Sequence, residues 1–222
     1  HVLYLETIFR LFPDSRALFL VRDPRAVVPS MVKAGFGPSS AKKAMVQWAT
    51  LTACGIGYHR RYPDRILPIN YESLVRDAPG TLQRLCDFLE LPYHEGMLKY
   101  HELPEDKTLA AEDWKKGVRQ PVYLSSLESW RNVLADSDIR MIENRCASLM
   151  DFLGYRLEYP EFFPKLLSRT WTTAMFAWKA ARATTAGRNI LSRQSYGNQA
   201  LGLFEVLSSG KKLFPLCDSS SS

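Results

Sequence analysis

Long apolar runs are missing from this 222-residue chain. None approaches the ~20 residues that a helix needs to cross a bilayer. Cysteine is scarce: Cys54, Cys86, Cys146 and Cys217 show no spacing that would hold a metal. Cys86 and Cys146 fall on apolar faces of predicted helices, as small core residues do, and the four leave the redox compartment open. Clustered carboxylates are absent, which removes the usual sequence signal for a divalent cation. So is a glycine-rich phosphate loop, because Gly35-Phe36-Gly37-Pro38 is not followed by lysine or serine in the right context. The net charge is +6, but the excess is local: residues 161–222 hold eight Lys/Arg against three acids. The remainder is close to neutral, so the charge gives no support to nucleic-acid binding by the main body.

What is present is an ordinary globular composition, 46% hydrophobic and 23% charged, long enough for one good core or two small domains. The informative stretch is FLVRDPRAVVPS, Phe19 to Ser30. The apolar run Ala17–Val21 follows a turn-like Pro13-Asp14-Ser15 and predicts a strand buried on both faces of a parallel sheet. Asp23-Pro24 predicts an N-cap and a proline at the first helical position, where its missing N–H costs nothing. Ala26, Val27, Val28 and Met31 then give a helix with one apolar side. Arg22 therefore falls in a strand-to-helix turn at the carboxyl edge of the sheet. Open α/β sheets bind ligands there, and helix N-termini there attract anions. Its planar fork of donors suits phosphate. A surface turn with an Arg22–Asp23 salt bridge is the competing reading of the same residues.

The same patterns predict helices over 1–12 and 24–33, and a longer one capped by Ser40 and running to about Arg61. A second strand is predicted over 66–70, weakened by Pro68, since central strands rarely hold proline. Tyr71 to Val75 leave it as a turn and short helix, and Pro79 opens a helix through Leu89. After a mostly irregular stretch over 92–128, Asp136-Ser137-Asp138 caps a helix lined by Ile139, Ile142, Cys146, Leu149, Met150 and Leu153. Gly154 ends it as a C′ glycine. Trp48 and Trp130 are expected as core anchors. This order predicts an α/β fold with a parallel sheet. In the tail, Trp171, Met175 and Trp178 form a stripe beside Lys165, Arg169 and Lys179, fit either to pack on its own domain or to lie on a membrane surface.

With both strand ends in view, residues 11–33 resemble the 3′-phosphate-binding segment of sulfotransferases that use 3′-phosphoadenosine 5′-phosphosulfate (PAPS). That segment is a strand ending in Arg-Asp-Pro-Arg, then a helix with a serine eight residues after the first arginine, here Arg22 and Ser30. INYESLVRDAPGTLQRLCDFLELP is similar to the family's next strand, Tyr-Glu-x-Leu turn and helix. QPVYLSSLESWRN resembles the segment that closes over the nucleotide, and IRMIENRCASLMDFLGY the last helix. The order Arg-Asp-x-Arg-Ala-x-Val-x-Ser-Met at Arg22–Met31 is nearest to protein-tyrosine sulfotransferases. Four segments in sequence over roughly residues 1–160 are specific where any one alone is weak.

The resemblance implies a P-loop NTPase-like three-layer fold with a parallel sheet, lacking here its first strand and phosphate loop, both expected before His1. Residues 1–160 would then be the C-terminal portion of a sulfotransferase domain, and 161–222 a basic, partly helical or disordered extension. It implies transfer of a sulfuryl group from PAPS to a hydroxyl, without metal, by an in-line displacement assisted by a base and well-placed cations. Arg22 and Ser30 would hold the 3′-phosphate and Tyr71 would stand beside the adenine. Arg119, or else Lys116 or Lys115, would supply by a different reach the charge that the family places where Gln120 stands. The base is expected N-terminal to residue 1, so the chain alone is expected to hold half a donor site and to be inactive. The acceptor implied is a protein tyrosine, or else a carbohydrate or small molecule. A homodimer and a membrane contact by the tail stay open. The compartment implied is the Golgi lumen, with the cytoplasm as the alternative. Two other classes compete. One is a P-loop kinase with Asp23 as its metal carboxylate; the other is a non-catalytic scaffold whose basic tail binds membranes or partners.

Overall fold

The structure, a computed structural model, describes residues 1–34, 37–102, 124–160 and 213–214. A 3₁₀ turn (Val2–Tyr4) leads into α1 (Leu5–Leu11), then β1 (Ala17–Val21), α2 (Pro24–Lys33) and α3 (Ala41–Arg61). They are followed by β2 (Ile66–Asn70), α4 (Tyr71–Arg76), α5 (Ala78–Leu89), 3₁₀ stretches at Glu95–Glu102, Leu124–Ser126 and Ser129–Asn132, and α6 (Asp136–Phe152). β1 and β2 pair in parallel, with Ala17 opposite Ile66 and Val21 opposite Asn70. Parallel pairing brings both strand ends to one edge, so the turns that begin with Arg22 and Tyr71 leave the sheet side by side.

Pro68 is accommodated by the parity of that ladder. The Ala17 N–H donates to the Arg65 carbonyl at 2.8 Å, so residues 65, 67 and 69 turn their polar groups towards β1. Pro68 turns the other way, to the side that is unpaired among the described residues, where a missing N–H costs no bond.

α3 supplies the main core. Its Ala44, Met45, Trp48, Ala49, Ala53 and Ile56 pack with Val21 and Val28 and with Ile142, Cys146, Leu149, Met150 and Leu153 of the α6 region. Each large apolar side chain fully buried in this way is worth about 1.5–3 kcal/mol. α3 approaches β1 closely at Gly55: a Cβ there would lie 2.2 Å from the Phe19 ring. Ser40 caps α3 by accepting from the Lys43 N–H, and Asp23 caps α2 by accepting from the Arg25 N–H at 2.8 Å. At the end of α6, Gly154 (φ 82°) permits a Schellman turn. The Gly154 N–H reaches the Asp151 carbonyl and the Tyr155 N–H reaches the Met150 carbonyl at 2.8 Å.

Two expectations are corrected. β1 is not buried on both faces: Leu18 and Leu20 are 42% and 55% exposed, because among the described residues the helical cover lies on the Phe19 side. The start of α6 has no side-chain cap; its N-cap is Ala135, and Asp136 and Asp138 sit in the first turn, where their charge favours the helix dipole. The tryptophan stripe of the tail lies outside the described residues. Leu213 and Phe214 pack against the main core, and the Leu213 N–H donates to the Phe152 carbonyl at 2.9 Å.

Candidate functional site

Arg22 is the first residue beyond β1. Its carbonyl accepts from the Trp48 indole N–H at 3.1 Å, which ties the turn to the core through a side chain otherwise buried as an anchor. Its guanidinium lies over the Tyr71 ring, 4.2 Å from the centroid. Nη2 donates to the Ser126 carbonyl at 3.1 Å, while Nε is buried and has no hydrogen-bond partner among the described residues. Tyr71 opens α4, held there because the Asn70 Oδ1 accepts from the Ser73 N–H at 2.8 Å. The structure thus brings Arg22, Tyr71 and the 124–126 segment together. Ser30 is exposed, two turns into α2, and no hydrogen bond joins it to Arg22. Arg119 lies outside the described residues.

Behind Arg22 is a buried ionic cluster. Arg25, 4% exposed, donates through Nε to both Asp23 oxygens (3.0 and 3.1 Å) and through Nη2 to Oδ2 at 2.6 Å. Its Nη1 reaches Glu143 Oε1 at 2.6 Å, and its guanidinium lies 4.3 Å from the Trp130 ring centroid. Glu143, 2% exposed, also accepts from the Glu158 and Tyr159 N–H groups at 2.8 and 2.9 Å. Burial alone would lower the Arg25 pKa, but Asp23 and Glu143 outweigh it and hold the guanidinium charged. With both oxygens committed to Arg25, Asp23 is not the free metal carboxylate that a kinase would need.

A second network joins the two turns. Glu72 Oε1 accepts from the Asp23 N–H at 3.0 Å and Oε2 accepts from the Tyr155 hydroxyl at 3.0 Å. The Asn70 side-chain amide donates to the same hydroxyl at 3.2 Å. Burial pushes the Glu72 carboxyl above its ordinary range. Burial and the nearby Glu72 charge raise the Tyr155 hydroxyl well above its own, which keeps the proton it donates.

Sequence reasoning missed Arg25, Glu72, Glu143 and Tyr155. One signal was available: Glu143 stands four residues after Ile139 and three before Cys146, on the apolar face of α6, where a carboxylate needs a partner. Tyr155 carried no such signal.

The profile of the sulfotransferase family matches residues 1–95. A Caenorhabditis briggsae protein, provisionally named a protein-tyrosine sulfotransferase, is 28% identical over 69% of this chain and 57% of its own length. The protein-tyrosine sulfotransferase of Drosophila melanogaster is 27% identical over 67% of this chain and 32% of its own. The similarity is to sulfotransferases. The sulfotransferase domain of the Synechococcus PCC 7002 olefin synthase superimposes with a TM-score of 0.53 at 24% identity, covering 64% of this chain and 53% of that domain. The mixed α/β fold with its small parallel sheet is therefore of the sulfotransferase type. The chain spans under two thirds of the length of these relatives.

Proposed function

We propose that residues 1–160 form the portion of a sulfotransferase domain that binds the 3′-phosphate and adenine of PAPS, for sulfuryl transfer to a hydroxyl acceptor, a protein tyrosine in the first place. The observation that carries this reading is Arg22: a guanidinium at the carboxyl edge of a parallel sheet, with a buried Nε donor that has no partner among the described residues. A buried unsatisfied donor costs about 1–3 kcal/mol, and a phosphate oxygen is the acceptor that its fork geometry suits. In this reading Arg22 binds the 3′-phosphate and Ser30 adds a hydroxyl from α2. Tyr71 orients the guanidinium from below and borders the adenine, and Arg119 adds charge from the segment that closes over the nucleotide. When bound, PAPS supplies the sulfuryl group and a leaving group, adenosine 3′,5′-bisphosphate.

No phosphate loop is recognisable in the 222 residues, so we extend the proposal: the chain alone binds nucleotide weakly and does not turn over. Residues 161–222 are a basic extension of the domain, and the working compartment is the Golgi lumen. The test is calorimetric binding of adenosine 3′,5′-bisphosphate, without metal, to the 222-residue chain and to Arg22→Ala. Losing charge-assisted hydrogen bonds should weaken binding by at least about tenfold, from the 1.5–3 kcal/mol typical of such bonds. Equal binding by the two proteins would remove the role given to Arg22. No binding by a parent chain that circular dichroism shows to be folded would remove the nucleotide site itself.

A further inference from the structure

Tyr71 and Arg22 lie just past the end of the β1–β2 ladder, whose last register is Val21 opposite Asn70. No ladder hydrogen bond fixes the spacing of the two turns beyond that point. The next tie is made by one side chain: Glu72, the residue after Tyr71, accepts from the N–H of Asp23, the residue after Arg22. We infer that Glu72, clamped by Tyr155, is a positioning residue that sets the spacing of Arg22 and Tyr71 and thereby the site's preference for a nucleotide bearing a 3′-phosphate. The inference rests on the nucleotide reading given above.

The chemistry explains why a carboxylate stands here. Glu72 is buried, 8% exposed, and its two oxygens face two donors, the Asp23 N–H and the Tyr155 O–H. A carboxylate accepts on both sides, whereas an amide could keep the Asp23 bond only by pointing its NH₂ at the Tyr155 hydroxyl, whose oxygen already accepts from Asn70 and whose proton would then lose its acceptor. A buried carboxylate is costly, and here its two bonds join the elements that carry the candidate ligand-binding side chains. Both anchor points are rigid. Asp23 is fixed by Arg25 and by its capping bond, and Tyr155 is fixed by the Schellman turn that ends α6. The Arg22–Tyr71 stack at 4.2 Å is made by the residues that immediately precede the two ends of this bridge. A shift of the bridge therefore displaces the guanidinium relative to the ring, and the phosphate it holds relative to the base.

The experiment compares two ligands, adenosine 3′,5′-bisphosphate and adenosine 5′-monophosphate, on the full chain and on Glu72→Gln, Tyr155→Phe and Arg22→Ala. The readout is the ratio of the two affinities, because partial unfolding weakens both ligands alike and leaves the ratio unchanged. Amide hydrogen exchange at Asp23 reports the bridge directly. Glu72 and Tyr155 border a cavity of about 390 Å³, so water can reach the groups that a substitution releases, and the variants should fold.

The parent should prefer the bisphosphate. Glu72→Gln should lower the ratio at least fivefold and speed Asp23 exchange at least tenfold, with Tyr155→Phe moving both in the same direction by smaller factors. A ratio that survives in folded Glu72→Gln while Arg22→Ala abolishes it would overturn the positioning role and leave the nucleotide reading standing. A parent with no preference between the ligands would overturn both. Should Glu72→Gln fail to fold, Tyr155→Phe decides: an unchanged ratio refutes the inference, a reduced one supports it.

Discussion

Replacing Arg25 with alanine would leave two carboxylates, Asp23 at 6% and Glu143 at 2% exposure, without the cation that joins them. Four donor contacts would go: Nε to both Asp23 oxygens, Nη2 to Oδ2 and Nη1 to Glu143. The stack on Trp130 would go as well. Glu143 would keep two backbone donors, the Glu158 and Tyr159 N–H groups, and Asp23 would keep the Arg25 N–H. Neither set neutralises the buried charge. Breaking one side of a buried pair typically costs about 3–5 kcal/mol, a large share of the roughly 5–15 kcal/mol that holds a domain folded. With a urea slope of about 1–3 kcal/mol per molar, the denaturation midpoint should fall by about 2 M. Arg25→Lys should lose less, because it keeps the charge but not the fork. Adding Asp23→Asn to Arg25→Ala should recover part of the loss, because the amide keeps its oxygen on the residue-25 N–H and removes one uncompensated charge. A measured loss below about 1 kcal/mol for Arg25→Ala would refute the reasoning, since the carboxylates would then be hydrated or protonated at little expense.

Two further outcomes follow from the packing. Gly55→Ala gains about 1 kcal/mol of helix propensity, but its Cβ would meet the Phe19 ring at 2.2 Å, and overpacking costs about 1–3 kcal/mol. The thermal midpoint should therefore drop and be restored by adding Phe19→Leu; a rise in Gly55→Ala alone would contradict the close approach of α3 to β1. Burial pushes the Cys54 thiol up to about 11 and the Cys146 thiol up to about 12. The thiolate is the reactive form, so iodoacetamide at pH 8 should leave both unlabelled in the native chain and label both in urea, as mapped by mass spectrometry. Fast native labelling of either would contradict its burial.

How much of this was legible in the sequence depends on how far apart the interacting residues lie along the chain. Both strands, the α2 and α3 caps and the Gly154 terminator follow from neighbours a few residues apart, and all were readable. Pro68 looked like an argument against β2, because period and composition do not reveal which way each residue's backbone faces; the ladder's parity does. The exposure of Leu18 and Leu20 was unreadable for a related reason, since an apolar run does not say what covers it. The networks behind the site join residues 49, 83 and 118 positions apart, beyond any local pattern.

One local alternative was visible and could be weighed against the structure: an ordinary surface turn in which Arg22 pairs with Asp23. Asp23 is instead buried and spends both oxygens on Arg25. Arg25, in the first turn of α2, neutralises the acid, and the arginine beside the acid is left for Tyr71 and Ser126, with one buried donor unpaired among the described residues. A motif with two arginines around one aspartate can thus divide its labour: the second builds the turn, and the first is the one that the function proposed above assigns to the anion.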